Sequence, residues 1–163
     1  IAHEIGIKSN ATMLFGHIES LRQRAVHLYR LKKLQEKTMG FLAFIPLPFL
    51  PDGTEFKSRP STIDILKTIA VSRLVLSNFH GIKAYWVMLG LEVAEIALNY
   101  GANDLDGTVV KEKIAHSAGA KTPIGLSVDD MVRIIRNAGK IPAERDAFFK
   151  VLRVYEDREV WVR

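Results

Sequence analysis

The hydrophobic period of this chain switches repeatedly between two and 3.6 residues, in the order strand, then helix. Strands joined in that way run parallel, and the helical crossovers between them are right-handed. The first strand, Ile7 to Phe15, sets Ala11, Met13 and Phe15 on one face and Asn10, Thr12 and Leu14 on the other. A helix with Leu21, Ala25, Leu28, Leu31 and Gln35 in one stripe follows, stopped at Gly40.

The second unit is a strand from Phe41 to Leu47, a proline-rich loop, and a helix opened by Ser61 and Asp64 at capping-box spacing. That helix is expected to turn Ile63, Leu66, Ile69, Ala70 and Leu74 inward. Ile82 to Leu89 reads as a third strand, before a helix with Val93, Ala94, Ala97 and Leu98 that stops at Gly101. A short strand around Asn103 to Val109 comes last. A loop with Gly119, Pro123 and Gly125 then leads to a helix capped by Ser127 and Asp130, with Met131, Val132, Ile135 and Ala138 in its stripe. Phe148, Phe149, Leu152 and Tyr155 recur at helical spacing in the tail, which is expected to dock on the body.

The fold class is therefore α/β, with four parallel β-α units and C-terminal helices. Such a set is either a small open sheet or the half of an eight-stranded barrel. Polar residues at alternating positions of the first and last strands favour the half barrel, whose site lies at the C-terminal mouth. The 163 residues, 48% hydrophobic, fill a single domain spanning 1–163. The opening Ile-Ala-His-Glu-Ile-Gly6 reads as the last turn of a helix that nothing precedes, so a fragment is expected.

Composition narrows the function classes. The chain has no cysteine, which excludes disulfides, cysteine nucleophiles and cysteine-ligated iron–sulfur clusters on its own residues. Its net charge of +5 is scattered over helix-period stretches, as at Arg22, Arg24, Arg30, Lys32, Lys33, Arg133 and Arg136. That pattern is a solvated helix surface, and no nucleic-acid partner is expected. The longest apolar run, Phe41 to Pro51, holds three of its positions as prolines and is too short for a bilayer. With no membrane segment and no signal peptide, a cytoplasmic location is the default.

Three segments carry candidate chemistry. Thr12-Met-Leu14-Phe-Gly16-His17-Ile-Glu19 has the spacing of a GxIxGxxE motif with Thr12 in the first glycine's place; its plainer reading is a buried strand end with a helix-capping Glu19. In Phe41 to Pro51, Pro46, Pro48 and Pro51 force the chain from the sheet and expose backbone carbonyls. Those carbonyls can accept from an adenine amino group, or the loop is rigid and binds nothing. Asp104-Leu-Asp106-Gly-Thr108-Val matches the nucleophile motif of haloacid-dehalogenase-type phosphatases. That chemistry needs a buried strand just before the first Asp, and Tyr100-Gly101-Ala102-Asn103 is a helix end and a turn. The Asp129-Asp130 pair does not rescue it, since it sits in a first helical turn. What remains is Asp104, Asp106 and Thr108 projecting from one face toward ribose hydroxyls or a polar substrate.

Five histidines, His3, His17, His27, His80 and His116, form no HxH or HxxxH pair, so no metal site is expected. His17 sits in the turn after the first strand, where an imidazole can give and take a proton. Trp86, in Lys83-Ala-Tyr85-Trp86, is either a core side chain or a stacking surface.

Lys8 to Glu19, Gly40 to Phe49, Ile82 to Gly90 and Gly101 to Val109, in this order and spacing, resemble the C-terminal half of the aminofutalosine synthase family. Ala118-Gly-Ala-Lys and Ile141-Pro-Ala-Glu-Arg145-Asp continue the likeness. These are radical S-adenosylmethionine enzymes of the futalosine route to menaquinone. The hydroxyphenyl-transferring subunit of deazaflavin synthase and dehypoxanthine futalosine cyclase share the Gly-His-x-Glu and Gly-Phe segments, and are the alternatives. The Asp104-Leu-Asp-Gly-Thr-Val form and Lys83-Ala-Tyr-Trp look most like aminofutalosine synthase.

The resemblance implies that a [4Fe-4S] cluster on a CxxxCxxC loop reduces S-adenosylmethionine. The 5′-deoxyadenosyl radical then adds to the enol ether of 3-[(1-carboxyvinyl)oxy]benzoate, and loss of the carboxyl group yields aminofutalosine. It further implies that Thr12, Leu14, Gly16, Glu19 and the Ile45-Pro46-Leu47 backbone face the cofactor. His17, Asp104 and Asp106 become catalytic candidates, and Asn10, Trp86 and Thr108 substrate-binding ones. The cluster belongs to an N-terminal half that this chain lacks, so the chain alone is expected to be inactive, or to be a non-catalytic scaffold. Its exposed strand edges call for that N-terminal half, or a second copy, as partner.

Overall fold

The computed structural model describes residues 1–56, 58–109, 117, 122–123 and 125–156. His116, Gly119 and the Ala118-Gly-Ala-Lys stretch lie outside them. The fold is mixed α/β, around a three-stranded parallel sheet in the order β1-β2-β3, with β1 at Ser9–Phe15, β2 at Phe41–Pro48 and β3 at Gly81–Ile82. Register pairs Ala11 with Phe44, Met13 with Pro46 and Phe15 with Pro48. All six are buried, and with Leu28, Ile65 and Ile69 they form the core against the helices. The other face pairs Thr12 with Ile45 and Leu14 with Leu47, and there Thr12 and Leu14 are exposed. The alternation read along the first strand thus sorts its faces as expected, over a strand that starts at Ser9 instead of Ile7. Ile7 is held back because its N–H closes the opening turn on Ala2 O, with Gly6 left-handed at φ 85°.

Helix α1, Leu21–Thr38, begins at a capping box of Ser20 and Gln23. Of the expected stripe, Leu28 and Gln35 are buried while Leu21 is 72% exposed. Gln35 can be buried because its amide satisfies the backbone of Phe41 in both directions, at 2.8 and 2.9 Å. That stitch binds helix to strand across a tight turn, and the left-handed cap falls on Met39 (φ 48°), not Gly40.

Helix α2, Thr62–Val75, is capped by Ser61, which accepts from Asp64 N. The reciprocal half of the box is missing because the Asp64 carboxylate is engaged by Arg24. Its inward face is Ile65, Leu66, Thr68, Ile69 and Ser72, whereas Ile63 is 65% and Leu74 78% exposed. Two polar residues can face inward because Ser72 donates to Thr68 O and Arg24 donates to Thr68 Oγ1, which leaves neither hydroxyl stranded.

The third unit departs most from expectation. β3 ends at Ile82, Lys83 makes a single parallel bridge to Asp104, and the chain turns into helix α3, Trp86–Leu89, and helix α4, Leu91–Ala97. An unbroken apolar run does not distinguish a buried strand from a buried helix, and here Trp86 Nε1 ties the run to Gly107 O at 2.9 Å. The expected fourth strand is reduced to that bridge, because Asp106, Gly107 and Val109 all have positive φ and cannot extend a ladder. Four complete β-α units are therefore not what the described residues form.

Helix α5, Val128–Asn137, has the full Ser127–Asp130 capping box and buries Met131 and Ile134. The tail is not helical. Ala143–Arg145 (β4) and Val151–Val154 (β5) form a two-stranded antiparallel ribbon. Asp146 Oδ1 accepts from Phe148 N and Lys150 N and folds the turn between them. No helix among the described residues is long and apolar enough to cross a membrane.

Candidate functional site

Two polar clusters are built on the strand ends. The first is the Gly16-His17-Ile18-Glu19 turn after β1. Glu19 Oε1 accepts from Gly16 N at 2.6 Å and from Arg24 Nε at 2.6 Å, and Oε2 accepts from His17 N at 3.2 Å. Burial alone pushes the Glu19 carboxyl up. The N–H groups of Gly16, of its own backbone and of His17, with the Arg24 guanidinium, outweigh burial and bring its pKa down to about 2. Arg24 Nη1 continues to both Asp64 oxygens at 2.9 and 3.0 Å and to Thr68 Oγ1 at 3.0 Å. The motif glutamate is thus a pin that closes the turn onto α1 and α2.

The turn has no room for a side chain at its first position. A Cβ on Gly16 would stand 2.6 Å from Pro60, and Gly16 has φ 92°, so only glycine lets the proline-rich loop close over the strand end. That loop brings Phe49 and Phe56 to His17. The imidazole stacks on Phe49 at 5.2 Å, and Phe56 meets both rings edge-on. His17 Nδ1 lies 2.8 Å from Glu19 Oε2 without hydrogen-bond alignment. Beside this cluster Leu14 and Leu47 are neighbours on the face opposite the core, where Leu14 is exposed, and Pro46 points the other way, paired with Met13 in the core. β3 stops level with Phe44, where Lys83 N donates to Phe44 O, so the paired strand does not reach the Ile45–Pro48 backbone on that side.

The second cluster surrounds the Asp-Leu-Asp-Gly segment. Asp104 Oδ2 accepts from Arg145 Nε at 2.7 Å, with Nη2 also at 2.7 Å, and Oδ1 accepts from Asp106 N at 2.8 Å. Asp106, held at φ 77°, pairs with the Lys83 ammonium. Lys83 itself is only 6% exposed. Both carboxylates that looked free in the sequence therefore have cations. Trp86 is 1% exposed with its N–H on Gly107 O, a core side chain and not an open stacking surface. Thr108 contributes its carbonyl, which accepts from Leu126 N, and Asn10 is exposed on the β1 face that also carries Thr12 and Leu14.

Arg24, Lys83 and Arg145 escaped the sequence reading. Lys83 had a signal, a lone charge inside an apolar run. Arg24 and Arg145 had none, since each meets its partner only through the fold, Arg145 across 41 positions. Among the described residues no three His, Asp or Glu side chains gather as a metal site.

Residues 38–158 match the family described as the CofH/MqnC C-terminal region. The chain belongs to that family. Relatives of this CofH/MqnC chain include the aminodeoxyfutalosine synthase of Thermus thermophilus, 48% identical over 95% of the chain, and that of Streptomyces coelicolor, 42% identical over 96%. A 5-amino-6-(D-ribitylamino)uracil–L-tyrosine 4-hydroxyphenyl transferase of Methanocaldococcus jannaschii is 40% identical over 93%. The chain spans 43%, 44% and 44% of the lengths of these three relatives.

Proposed function

We propose that this chain is the C-terminal part, spanning 1–163, of a radical S-adenosylmethionine enzyme that forms aminodeoxyfutalosine, and that its sheet is half of a barrel wall, with the face of Thr12 and Leu14 turned to the interior. The observation that carries the reading is 48% identity to an aminodeoxyfutalosine synthase over nearly the whole chain. The site geometry agrees with it. Leu14 and Leu47 offer an apolar surface beside the Ile45 and Leu47 backbone, which β3 leaves unpaired and which suits an adenine ring and its amino group. Gly16 and Glu19 shape the turn next to that surface, and Thr12 and Ile45 stand one step below it.

The chain carries no cysteine, so the ligands of a [4Fe-4S] cluster belong to the part of the enzyme outside it. When bound, S-adenosylmethionine supplies the 5′-deoxyadenosyl group and its radical chemistry. The residues of this chain then have the work of holding the adenosyl group at the β1 and β2 ends and of orienting the second substrate near Asp104, Asp106 and Thr108. His17, stacked on Phe49 beside the adenosyl side, is the group placed to exchange a proton. The 40% match to the 4-hydroxyphenyl transferase carries a second reading, in which the acceptor is a ribitylaminouracil.

The test is a product assay on the full-length enzyme, reconstituted anaerobically with iron and sulfide. With S-adenosylmethionine and 3-[(1-carboxyvinyl)oxy]benzoate, aminodeoxyfutalosine is the product expected by mass spectrometry. Product only with tyrosine and ribitylaminouracil moves the chain to the second reading. Absence of both products and of 5′-deoxyadenosine leaves a non-catalytic half barrel.

A further inference from the structure

The C-terminal ribbon is built toward the site with more care than a docking tail needs. Asp146 folds its turn through two backbone N–H groups, and Phe149 takes a left-handed φ of 66°. The Phe149 ring lies over the start of β3, where a Cβ on Gly81 would stand 2.6 Å from it, and meets His80 edge-on at 5.1 Å. Arg145 is laid along that ring, 4.3 Å from its centre, with Nε and Nη2 each 2.7 Å from the one oxygen Oδ2 of Asp104 and Nη1 donating to Asp146 O at 3.1 Å. The apolar contact alone would dock the ribbon. The guanidinium adds direction, because its planar donors, fixed on the ring and on Asp146 O, can meet Asp104 Oδ2 in few orientations.

That direction is passed on. With Oδ2 held by Arg145, Asp104 turns Oδ1 to the N–H of Asp106. Asp106 is thereby kept in a conformation that side-chain-bearing residues rarely adopt, and its carboxylate meets Lys83. Lys83 bridges Asp104 in the ladder, so its side chain is on the face opposite to buried Ile82 and Ala84, the face that also carries Thr12 and Leu14. It is the one cation on the described strand residues of that face. An ammonium has three donors, and among the described residues Asp106 takes one of them.

We propose that Arg145 is a positioning residue of the substrate side of the site, which acts through Asp104 and Asp106 to hold the Lys83 ammonium toward an oxygen-bearing group of the non-adenosyl substrate. The inference rests on the reading above for the identity of that substrate. The link from ribbon to Lys83 does not.

Two measurements on the full-length enzyme test it. In steady-state assays, Arg145→Met raises KM for 3-[(1-carboxyvinyl)oxy]benzoate about tenfold, while KM for S-adenosylmethionine stays within about twofold of the parent. Arg145→Lys, which keeps the charge and loses the fork, falls between. The Arg145→Met, Lys83→Met double variant is no worse than Lys83→Met, as two members of one chain of contacts require. Equal rises in both KM values, or additive losses, overturn the proposal. Independently of turnover, competitive acetylation read by peptide mass spectrometry finds Lys83 protected in the parent and labelled severalfold faster in Arg145→Met, with Lys67 and Lys140 unchanged. Unchanged labelling of Lys83 overturns the link itself, whereas faster labelling in an enzyme that makes no product from this substrate rejects the substrate assignment and keeps the link. Should Arg145→Met fail to fold, Asp104→Asn breaks the same link from the strand side and leaves the Phe149 contact in place.

Discussion

Glu19 shows how the last residue of a motif is held as the pin of a turn. Its carboxylate lies beside an imidazole at the end of a strand, but its oxygens are taken by two backbone N–H groups and a guanidinium. Because its pKa is lowered from 4.5 to about 2 in the folded state, its contribution to stability is complete above pH 4.5 and is lost as pH falls toward 2. A shift of this size on a carboxylate that solvent still reaches contributes about 2 kcal/mol. Glu19→Gln is therefore expected to destabilise the protein by about that amount at pH 7 and to flatten the change in stability between pH 5 and pH 2. Urea unfolding followed by circular dichroism across that range checks it. The same loss at every pH would mean that the charge of Glu19 is irrelevant. The motif spacing marked Glu19 in the sequence, but nothing there named Arg24, five positions on, as its partner.

At the scale of elements, periodicity located α1, α2, α4 and α5, read α3 as strand and the ribbon as helix, and misplaced some helix faces. Ile69 is fully buried and Leu74 is 78% exposed, though both fall in one apolar stripe of α2. The helix is turned by the Arg24 contacts to Asp64 and Thr68, which the apolar pattern does not contain. Ile69→Ala should cost about 2–5 kcal/mol and Leu74→Ala less than about 0.5 kcal/mol in thermal or urea unfolding. Comparable losses would restore the stripe read from the sequence. The ribbon is a second case of the same kind. Phe148, Phe149, Leu152 and Tyr155 fit a helical period, yet the Asp146 turn and the Phe149 contact to β3 make the segment a hairpin.

For the molecule as a whole, the decisive feature is that, among the described residues, α1 and α2 pack on the core face of the sheet while Asn10, Thr12 and Leu14 stand exposed on the other. The outer edge of β1 meets no strand among the described residues, although His27 reaches Thr12 O from α1. A groove of about 730 Å³ lies beside Asp104–Thr108, between α5 and the ribbon. Open edges of this kind pair with another chain or with the rest of their own. The isolated chain is expected to sediment as a dimer or larger species at micromolar concentration, and, on the proposed reading, to form a one-to-one complex when an N-terminal half barrel of such an enzyme is supplied in trans. A monomer indifferent to that partner would count against both the exposed edges and the half-barrel reading.

The amino-acid order by itself determined the strand-helix alternation, the two faces of β1, the cap residues Ser61 and Ser127, and the absence of any thiolate ligand, because each depends on neighbours within a few positions or on composition alone. The order of four motifs also carried the family resemblance, and 48% identity to an aminodeoxyfutalosine synthase agrees with it. Only the tertiary structure decided that Asp104 and Asp106 are paired, that Trp86 is core, that the third strand stops at Ile82, and that Arg145 reaches the site. Those outcomes depend on charges and backbone groups brought together from 21 to 41 positions apart, as in Trp86 with Gly107, Lys83 with Asp106 and Arg145 with Asp104, and no local pattern encodes which of them will meet.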